Sequence, residues 1–280
     1  KKPVRTERRV FVYVPASYRD GTAAPVLVIH DGPGPLNLVR NALDNLSGPG
    51  VKGRRLPPFI AIAVENGGDD GKNSERGLEY DTLSDRYSNW VEQELLPAVS
   101  QRYGVSFTSD PEGRATMGGS SGAICAWTMA WFHPERYHKV LSYSGTFVNQ
   151  ASPQDSATPR GGWEYHATLV PKAAKKPIRM WMEVGEKDLH FDDPENTWHN
   201  WPLANNRMAA ALSAAGWPVR LPSMALYLWL PLPPQARAAG FNSESFCAAL
   251  LEHTGVCLTP GCGFGPSGEG WQRLALVQPP

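Results

Sequence analysis

The strongest chemical signal in the chain is a serine flanked by glycines, placed between a strand pattern and a helix pattern. Gly118-Gly119-Ser120-Ser121-Gly122 follows a short apolar run at residues 114–117 and precedes an apolar helical run at residues 123–131. A sharp strand-to-helix turn of this kind strains the serine backbone and lifts its hydroxyl clear of the sheet, and small neighbours let the two backbones pack. We therefore predict that Ser120 is the nucleophile of a nucleophile elbow.

The segments around this elbow alternate between strand and helix patterns. Continuous apolar runs are typical of buried parallel strands, and an apolar stripe followed by glycine is typical of a helix and its end. The predicted strands are residues 9–14, 25–30, 59–64, 114–117, 139–143 and 178–184, and the predicted helices include residues 85–102, 123–131 and 203–215. This order predicts an α/β fold that is α/β-hydrolase-like, with a mostly parallel sheet and helices on both faces.

Composition excludes several classes of partner. The chain has 280 residues, of which 41% are hydrophobic and 19% charged, and its formal net charge is zero. Since no net field draws in polyanions, neither nucleic acid nor a membrane is an expected partner. There is no apolar run of about 18 residues, and the start at Lys1 lacks a signal-peptide pattern. We expect a soluble chain. The sequence leaves three points open: whether an export signal was removed before residue 1, the compartment, and the oligomeric state.

Four further runs extend the pattern around the elbow. They are residues 29–34, 74–81, 141–147 and 183–188. With residues 117–122 they resemble the Putative esterase family of α/β-hydrolases, which includes enterochelin esterases and esterase D, from residue 8 to about residue 220. The resemblance implies a serine hydrolase that cleaves small-molecule carboxylic esters through an acyl-enzyme intermediate. It also implies an acid after the strand that ends at Val184.

That chemistry needs an acid and an oxyanion hole beside the serine. Asp188 is the candidate acid, because it follows a buried strand by a few residues in a turn that contains Gly185. Asp192 and Asp193 remain rivals. The oxyanion hole would use the backbone N–H of Ser121 and one N–H from the loop after His30, either that of Asp31 or that of Gly32.

The catalytic histidine is where this chain departs from the family. Relatives carry the base in a glycine-histidine turn downstream of a helix like residues 203–215, and no such turn is present here. The only histidine after His199 is His253, inside a helical run, while His190 lies two residues beyond Asp188. Both remain possible bases. The alternative function is therefore a catalytically impaired hydrolase fold without an efficient base, acting at most as a binding protein.

The other histidines have ordinary structural interpretations. His30 stands at a strand end that does not suit a general base, and we expect it to be structural. His166 and His199 are expected in loops among aromatic residues, and His133 and His138 in a surface turn.

Residues 221–280 differ in composition from the rest of the chain. They hold only five of the 54 charged side chains and three of the four cysteines. Residues 225–231 and 259–276 resemble the C-terminal small domain of a class I/II aminotransferase, in which the arginine that matches Arg273 binds the substrate carboxylate. We predict a hydrolase domain over residues 1–220 that lacks the usual histidine-bearing end, and a spliced tail over residues 221–280 whose residues 225–230 cover the edge of the sheet.

We predict no cofactor and no metal. The aminotransferase cofactor, pyridoxal phosphate, binds a lysine in a large domain that is absent, and no lysine follows Lys187. The glycines at 261, 263 and 265 lack the flanking strand and helix of a dinucleotide site. The tail cysteines, Cys247, Cys257 and Cys262, lack the paired close spacing of a zinc site.

Overall fold

A computed structural model describes residues 7–47, 56–68, 74–150, 155–219 and 227–275. The chain divides into two compact units, Lys1–Val219 and Arg220–Pro280.

The first unit alternates strands and helices. Its strands are β1 (Val10–Tyr13), β2 (Ala23–Ala24), β3 (Val26–His30), β4 (Ile60–Val64), β5 (Ser106–Phe107), β6 (Arg114–Gly119), β7 (Lys139–Tyr143) and β8 (Arg179–Glu183). Its α-helices are α1 (Pro33–Ser47), α2 (Glu75–Tyr80), α3 (Arg86–Trp90), α4 (Leu96–Tyr103), α5 (Ser121–Phe132), α6 (Val170–Lys172) and α7 (Trp201–Ala214). Two π-helical turns (Val91–Leu95 and Tyr165–Leu169) and two 3-10 turns (Pro111–Gly113 and Glu195–Thr197) complete it.

Six of these strands form one sheet in the order β1-β4-β3-β6-β7-β8. β1 is antiparallel to β4, and the remaining neighbours are parallel. Each strand predicted from the sequence is present in this sheet. Because the parallel strands share one direction, the segments that follow β3, β6, β7 and β8 emerge at the same edge of the sheet.

Both faces of the sheet are covered. Along β3, Val26 and Val28 belong to one buried cluster, with residues of α5 and α7, whereas Leu27 and Ile29 belong to a second cluster with Val39 and Leu43 of α1. Successive strand residues point to opposite faces. The alternation therefore places helices on both sides, as the sequence predicts. α5 is apolar all round and buried along most of its length, as expected of a helix against the centre of the sheet.

The helix predicted over residues 85–102 is interrupted. α3 and α4 are joined by the π-helical turn Val91–Leu95, and Pro97 stands in the first turn of α4. Proline supplies no N–H to the helical ladder, which accounts for the change of hydrogen-bond spacing before it. The segment ends as predicted, at Gly104 in the left-handed conformation with φ of 64°.

The second unit contains a small antiparallel sheet. Its elements are β9 (Tyr227–Pro231), α8 (Pro234–Ala238), α9 (Ser243–Thr254), β10 (Thr259–Pro260), β11 (Trp271–Ala275) and the 3-10 turns Gly261–Phe264 and Pro266–Gly268. The strand order is β10-β11-β9.

The apolar run that is expected to cover the sheet edge, residues 225–230, contributes most of β9 in the second unit. β9 pairs with β11 of its own unit, with Tyr227 opposite Ala275 and Leu230 opposite Gln272. Ala225 and Leu226 lie outside the described residues. The apolar run therefore finds its backbone partner inside the tail.

Among the residues that the structure describes, no helix is both long and apolar enough to span a membrane.

Candidate active site

Ser120 lies at a strained turn between β6 and α5. Its φ of 53° and ψ of −124° lie outside the regions that non-glycine residues ordinarily occupy. The Ser120 N–H donates to the Tyr143 carbonyl oxygen at 2.9 Å, so the turn is anchored to the end of β7. A Cβ on Gly118 would lie 2.3 Å from the backbone of Gly122, which requires glycine there. These are the features expected of a nucleophile elbow.

The Ser120 side chain faces a second hydroxyl. Its Oγ lies 3.3 Å from Thr146 Oγ1, and the Thr146 N–H donates to the Ser120 carbonyl oxygen at 3.3 Å. Ser120 is half-buried, while Thr146 is buried. Thr146 was not among the candidate residues. Its position three residues beyond the strand adjacent to β6 is the signal that could have drawn attention to it.

Asp188 follows β8 and is held by two hydrogen bonds. The Ser144 hydroxyl donates to Asp188 Oδ2, and the Leu189 N–H donates to Oδ1 at 2.7 Å. Ser144 itself has a φ of 49°, and its N–H donates to the Glu183 carbonyl oxygen at 2.8 Å. Because β6, β7 and β8 are neighbours, Ser120, Ser144 and Asp188 follow three successive strand ends. Ser144 was also missed, since its role depends on the strand order.

The rival acids have other surroundings. Asp193 Oδ2 lies 3.1 Å from Nδ1 of His190, and Asp192 is exposed. The structure does not bring either of them to Ser144.

The predicted oxyanion donors differ in availability. The Ser121 N–H belongs to the first turn of α5, where amides have no acceptor within the helix. The Gly32 N–H, in contrast, donates to the Val64 carbonyl oxygen at 2.8 Å. A substrate oxygen would have to replace the Val64 carbonyl oxygen to bind the Gly32 N–H, and the role of Gly32 stays a prediction. The Asp31 N–H also has an acceptor, because it donates to the Tyr80 hydroxyl at 3.4 Å.

Two histidines are buried in the first unit. His30 has no exposed surface, contacts the rings of Tyr80 and Tyr87, and has its Nδ1 3.5 Å from the Tyr87 hydroxyl. Burial lowers the pKa of the His30 imidazole to about 4. His166 was expected in a loop, but it lies in the π-helical turn Tyr165–Leu169, with Nε2 3.1 Å from the Phe147 carbonyl oxygen. Burial likewise lowers its pKa to about 4.

The two candidate bases lie in different units. His190 is exposed, has a φ of 55°, pairs with Asp193 and stacks on Trp201 at a centroid separation of 5.9 Å. His253 lies in the last turn of α9, in the second unit. His190 is paired with Asp193, and the identity of the base stays a prediction.

The described residues contain no group of three or more histidine, cysteine or carboxylate side chains that could hold a metal ion. Cys125, Cys247, Cys257 and Cys262 are all free thiols, and burial raises the pKa of Cys125 and of Cys247.

The fold and the elbow together define an α/β-hydrolase with a strained serine at the C-terminal end of β6, a central strand of the sheet. The profile of the Putative esterase family matches residues 2–218. The chain belongs to this family, and the predicted resemblance is confirmed.

Solved structures show the same fold at low identity. An enterobactin esterase from Shigella flexneri is 21% identical, with a TM-score of 0.53, and the match covers 74% of this chain and 47% of that protein. A ferulic acid esterase is 20% identical with a TM-score of 0.52, and the match covers 75% of this chain and 81% of that protein. An IroE-like serine hydrolase from Shewanella oneidensis is 16% identical with a TM-score of 0.53, and the match covers 76% of this chain and 66% of that protein. The α/β-hydrolase prediction is thus confirmed for the fold.

A short segment has relatives of a different kind. An LL-diaminopimelate aminotransferase from Dehalococcoides mccartyi is 45% identical over 74 residues, which is 26% of this chain and 18% of that enzyme. A second, from Trichormus variabilis, is 43% identical over 66 residues, which is 24% of this chain and 16% of the enzyme. The chain thus spans less than a fifth of these curated relatives.

Proposed function

We propose that this chain is a serine hydrolase that cleaves small-molecule carboxylic esters through an acyl-enzyme intermediate. The observation that carries the proposal is the backbone of Ser120, whose positive φ places a non-glycine residue in a strained conformation at the end of a buried parallel strand. Strain of this kind costs about 1–3 kcal/mol and is concentrated at functional sites. Membership of the Putative esterase family supports the same reaction.

In the proposed reaction, Ser120 Oγ attacks the ester carbonyl carbon while its proton passes to a histidine base. The carbonyl oxygen becomes an oxyanion that accepts a hydrogen bond from the Ser121 N–H. The tetrahedral intermediate collapses, the C–O bond to the alcohol breaks, and the alcohol leaves with the proton. Water then attacks the acyl-enzyme by the reverse sequence and releases the acid and free Ser120. Asp188 would orient the base.

A second candidate function is a hydrolase fold with impaired catalysis. It is favoured by the surroundings of the acid, since the Asp188 oxygens accept from Ser144 and Leu189 while His190 pairs with Asp193. Residual catalysis of about 10³-fold to 10⁴-fold over water can survive loss of a triad member, so slow turnover alone does not separate the two candidates.

Labelling with a fluorophosphonate separates them. We expect rapid, stoichiometric labelling at Ser120, together with hydrolysis of nitrophenyl acetate, and loss of both in Ser120→Ala. Ser213→Ala removes an exposed hydroxyl from α7 and serves as the matched control. Full activity in Ser120→Ala would show that another group is the nucleophile, and slow labelling of the wild type would favour the impaired fold.

We further infer that residues 221–280 are a splice onto a hydrolase domain that lacks its usual histidine-bearing end. The boundary between the two compact units after Val219 and the aminotransferase relatives support this inference. The genomic reading frame beyond Arg220 tests it: continuation into a hydrolase end with a glycine-histidine turn would show an assembly error, and an unbroken frame into the tail would show a gene fusion or a recombination.

A further inference from the structure

The candidate site contains two strained turns that face each other. Asp31, after β3, and Ser120, after β6, are non-glycine residues with φ angles of 68° and 53°. Such conformations persist only where the surrounding contacts over-determine them. Ser120 is held by Tyr143 and Thr146, whereas Asp31 is held largely by α2. Asp81, the residue that ends α2, contacts Ser121 beside Ser120.

Arg76 of α2 holds the Asp31 carboxylate with two parallel hydrogen bonds. Its Nε lies 2.8 Å from Oδ1, and its Nη2 lies 3.0 Å from Oδ2. Asn66 Nδ2 adds a bond of 3.1 Å to Oδ1. A bidentate pair of this kind fixes the orientation of a carboxylate as well as its position. One helical turn after Arg76, the Tyr80 hydroxyl lies 3.4 Å from the Asp31 N–H nitrogen.

The C-terminal end of α2 bonds to the elbow. Ser121 Oγ donates to Asp81 Oδ2 at 3.0 Å, and both residues are buried. Ser121 is the residue whose backbone N–H is the proposed oxyanion donor. One six-residue helix therefore contacts both the loop after β3 and the first turn of α5.

The Asp31 carboxylate lies directly against the elbow. A Cβ on Gly122 would be 2.9 Å from Asp31 Oδ2, so the carboxylate is beside the first turn of α5. Burial raises the pKa of the Asp31 carboxyl, but its bonds to Arg76 and Asn66 outweigh that effect and hold the pKa below its ordinary value. The carboxylate is thus charged. Unpaired, it would oppose the negative charge that develops on the substrate oxygen.

We propose that Arg76 is a positioning residue for ester hydrolysis. Through its pair with the Asp31 carboxylate, Arg76 holds the loop after β3 in a fixed position beside the elbow. The same pair neutralises the negative charge next to the proposed oxyanion pocket. The proposal rests on the serine hydrolase function, and it extends that function to a residue that does not touch the substrate.

The test compares Arg76→Ala and Arg76→Lys with the wild-type chain. Arg160→Ala is the matched control, because Arg160 makes an equally bidentate pair with Glu164 elsewhere in the first unit. The readouts are kcat and KM for nitrophenyl acetate and the amide hydrogen exchange of Gly32, whose N–H is bonded to Val64.

For Arg76→Ala we expect kcat to fall by about 10-fold to 10²-fold while KM stays within about twofold, since the lost stabilisation belongs to the transition state. Arg76→Lys, which keeps the charge, should recover part of kcat. Gly32 exchange should accelerate in Arg76→Ala, and Arg160→Ala should match the wild type in every readout.

Wild-type kcat and wild-type Gly32 exchange in Arg76→Ala would overturn the proposal. A second result would also overturn it: Arg76→Ala loses kcat in proportion to a lowered midpoint of thermal unfolding, and Arg76→Lys recovers none of the kcat. That result would assign Arg76 to folding alone. If wild-type Ser120 is not labelled by a fluorophosphonate, the assignment of Ser120 as the nucleophile fails independently of the proposal for Arg76. Gly32 exchange then decides: acceleration specific to Arg76→Ala supports the positioning role, and unchanged exchange refutes it.

Discussion

The Ser144 hydroxyl donates a hydrogen bond to the Asp188 carboxylate, and this bond joins the ends of β7 and β8. With the Leu189 N–H on the other carboxylate oxygen, Asp188 is oriented before any base approaches it. The carboxylate of Asp188, the proposed acid, is thus held in place two strands away from Ser120.

The first prediction concerns this acid. Asp188→Asn should lower kcat for nitrophenyl acetate by about 10²-fold or more, because a triad without its acid leaves the base in the wrong tautomer. Steady-state kinetics measures the effect. Asp192→Asn, an exposed neighbour in the same loop, should retain wild-type kcat. A loss in Asp192→Asn with full activity in Asp188→Asn would reverse the assignment.

The second prediction concerns the base. A histidine that acts as general base contributes about 10²-fold to 10⁴-fold, so its removal is easily measured. We expect His253→Ala to keep most of the nitrophenyl acetate hydrolysis of the parent chain, and a loss of that size in His190→Ala would identify His190 as the base. Abolished turnover in His253→Ala, together with a hydrogen bond of about 3 Å from its ring to Ser120, would show that the tail supplies the base.

The third prediction concerns the glycines before the elbow. Gly118→Ala should lose Ser120 labelling and stability, because its Cβ would lie 2.3 Å from the backbone of Gly122. Overpacking of this kind costs about 1–3 kcal/mol or more. Gly119→Ala is the matched control, since the nearest atom to its Cβ is the Tyr143 oxygen at 3.7 Å. Labelling kinetics and thermal unfolding of both variants check the contrast, and equal behaviour would contradict it.

The fourth prediction concerns acid stability. Three side chains bind the Glu112 carboxylate: His138, whose Nδ1 lies 2.7 Å from Oε1, Lys139 and Arg179. They lower the pKa of the Glu112 carboxyl from 4.5 to about 2. Because the folded pKa lies below the unfolded value, the stabilisation is present above about pH 4.5 and is lost as the pH falls towards 2.

Thermal unfolding between pH 2 and pH 7 measures this effect. Glu112→Gln should lower the midpoint at pH 7 and should flatten its fall below pH 4.5. Glu112 is 48% exposed, so solvent screening keeps the change modest. Glu94→Gln, an exposed glutamate of the Val91–Leu95 turn, is the control. A profile identical to the wild type in Glu112→Gln would refute the prediction.

Several features of the fold could be predicted from the sequence because they depend on local patterns. The continuous apolar runs of β3 and β4 and the apolar helix α5 each indicate burial by themselves, and glycines around Ser120 indicate a tight turn. The π-helical turn at Val91–Leu95 was not predicted, because its changed hydrogen-bond spacing leaves the apolar stripe of the segment intact.

The sequence by itself determined the nucleophile candidate, the strand ends that surround it and the shift in composition after residue 220. Only the tertiary structure decided which groups those strand ends bring together. The Gly32 N–H donates to Val64, Asp188 accepts from Ser144, and Arg76 binds Asp31, which lies 45 positions away along the chain. The physical reason is that strand order and register fix these pairings, and a single sequence carries no local signal for a hydrogen bond between distant segments.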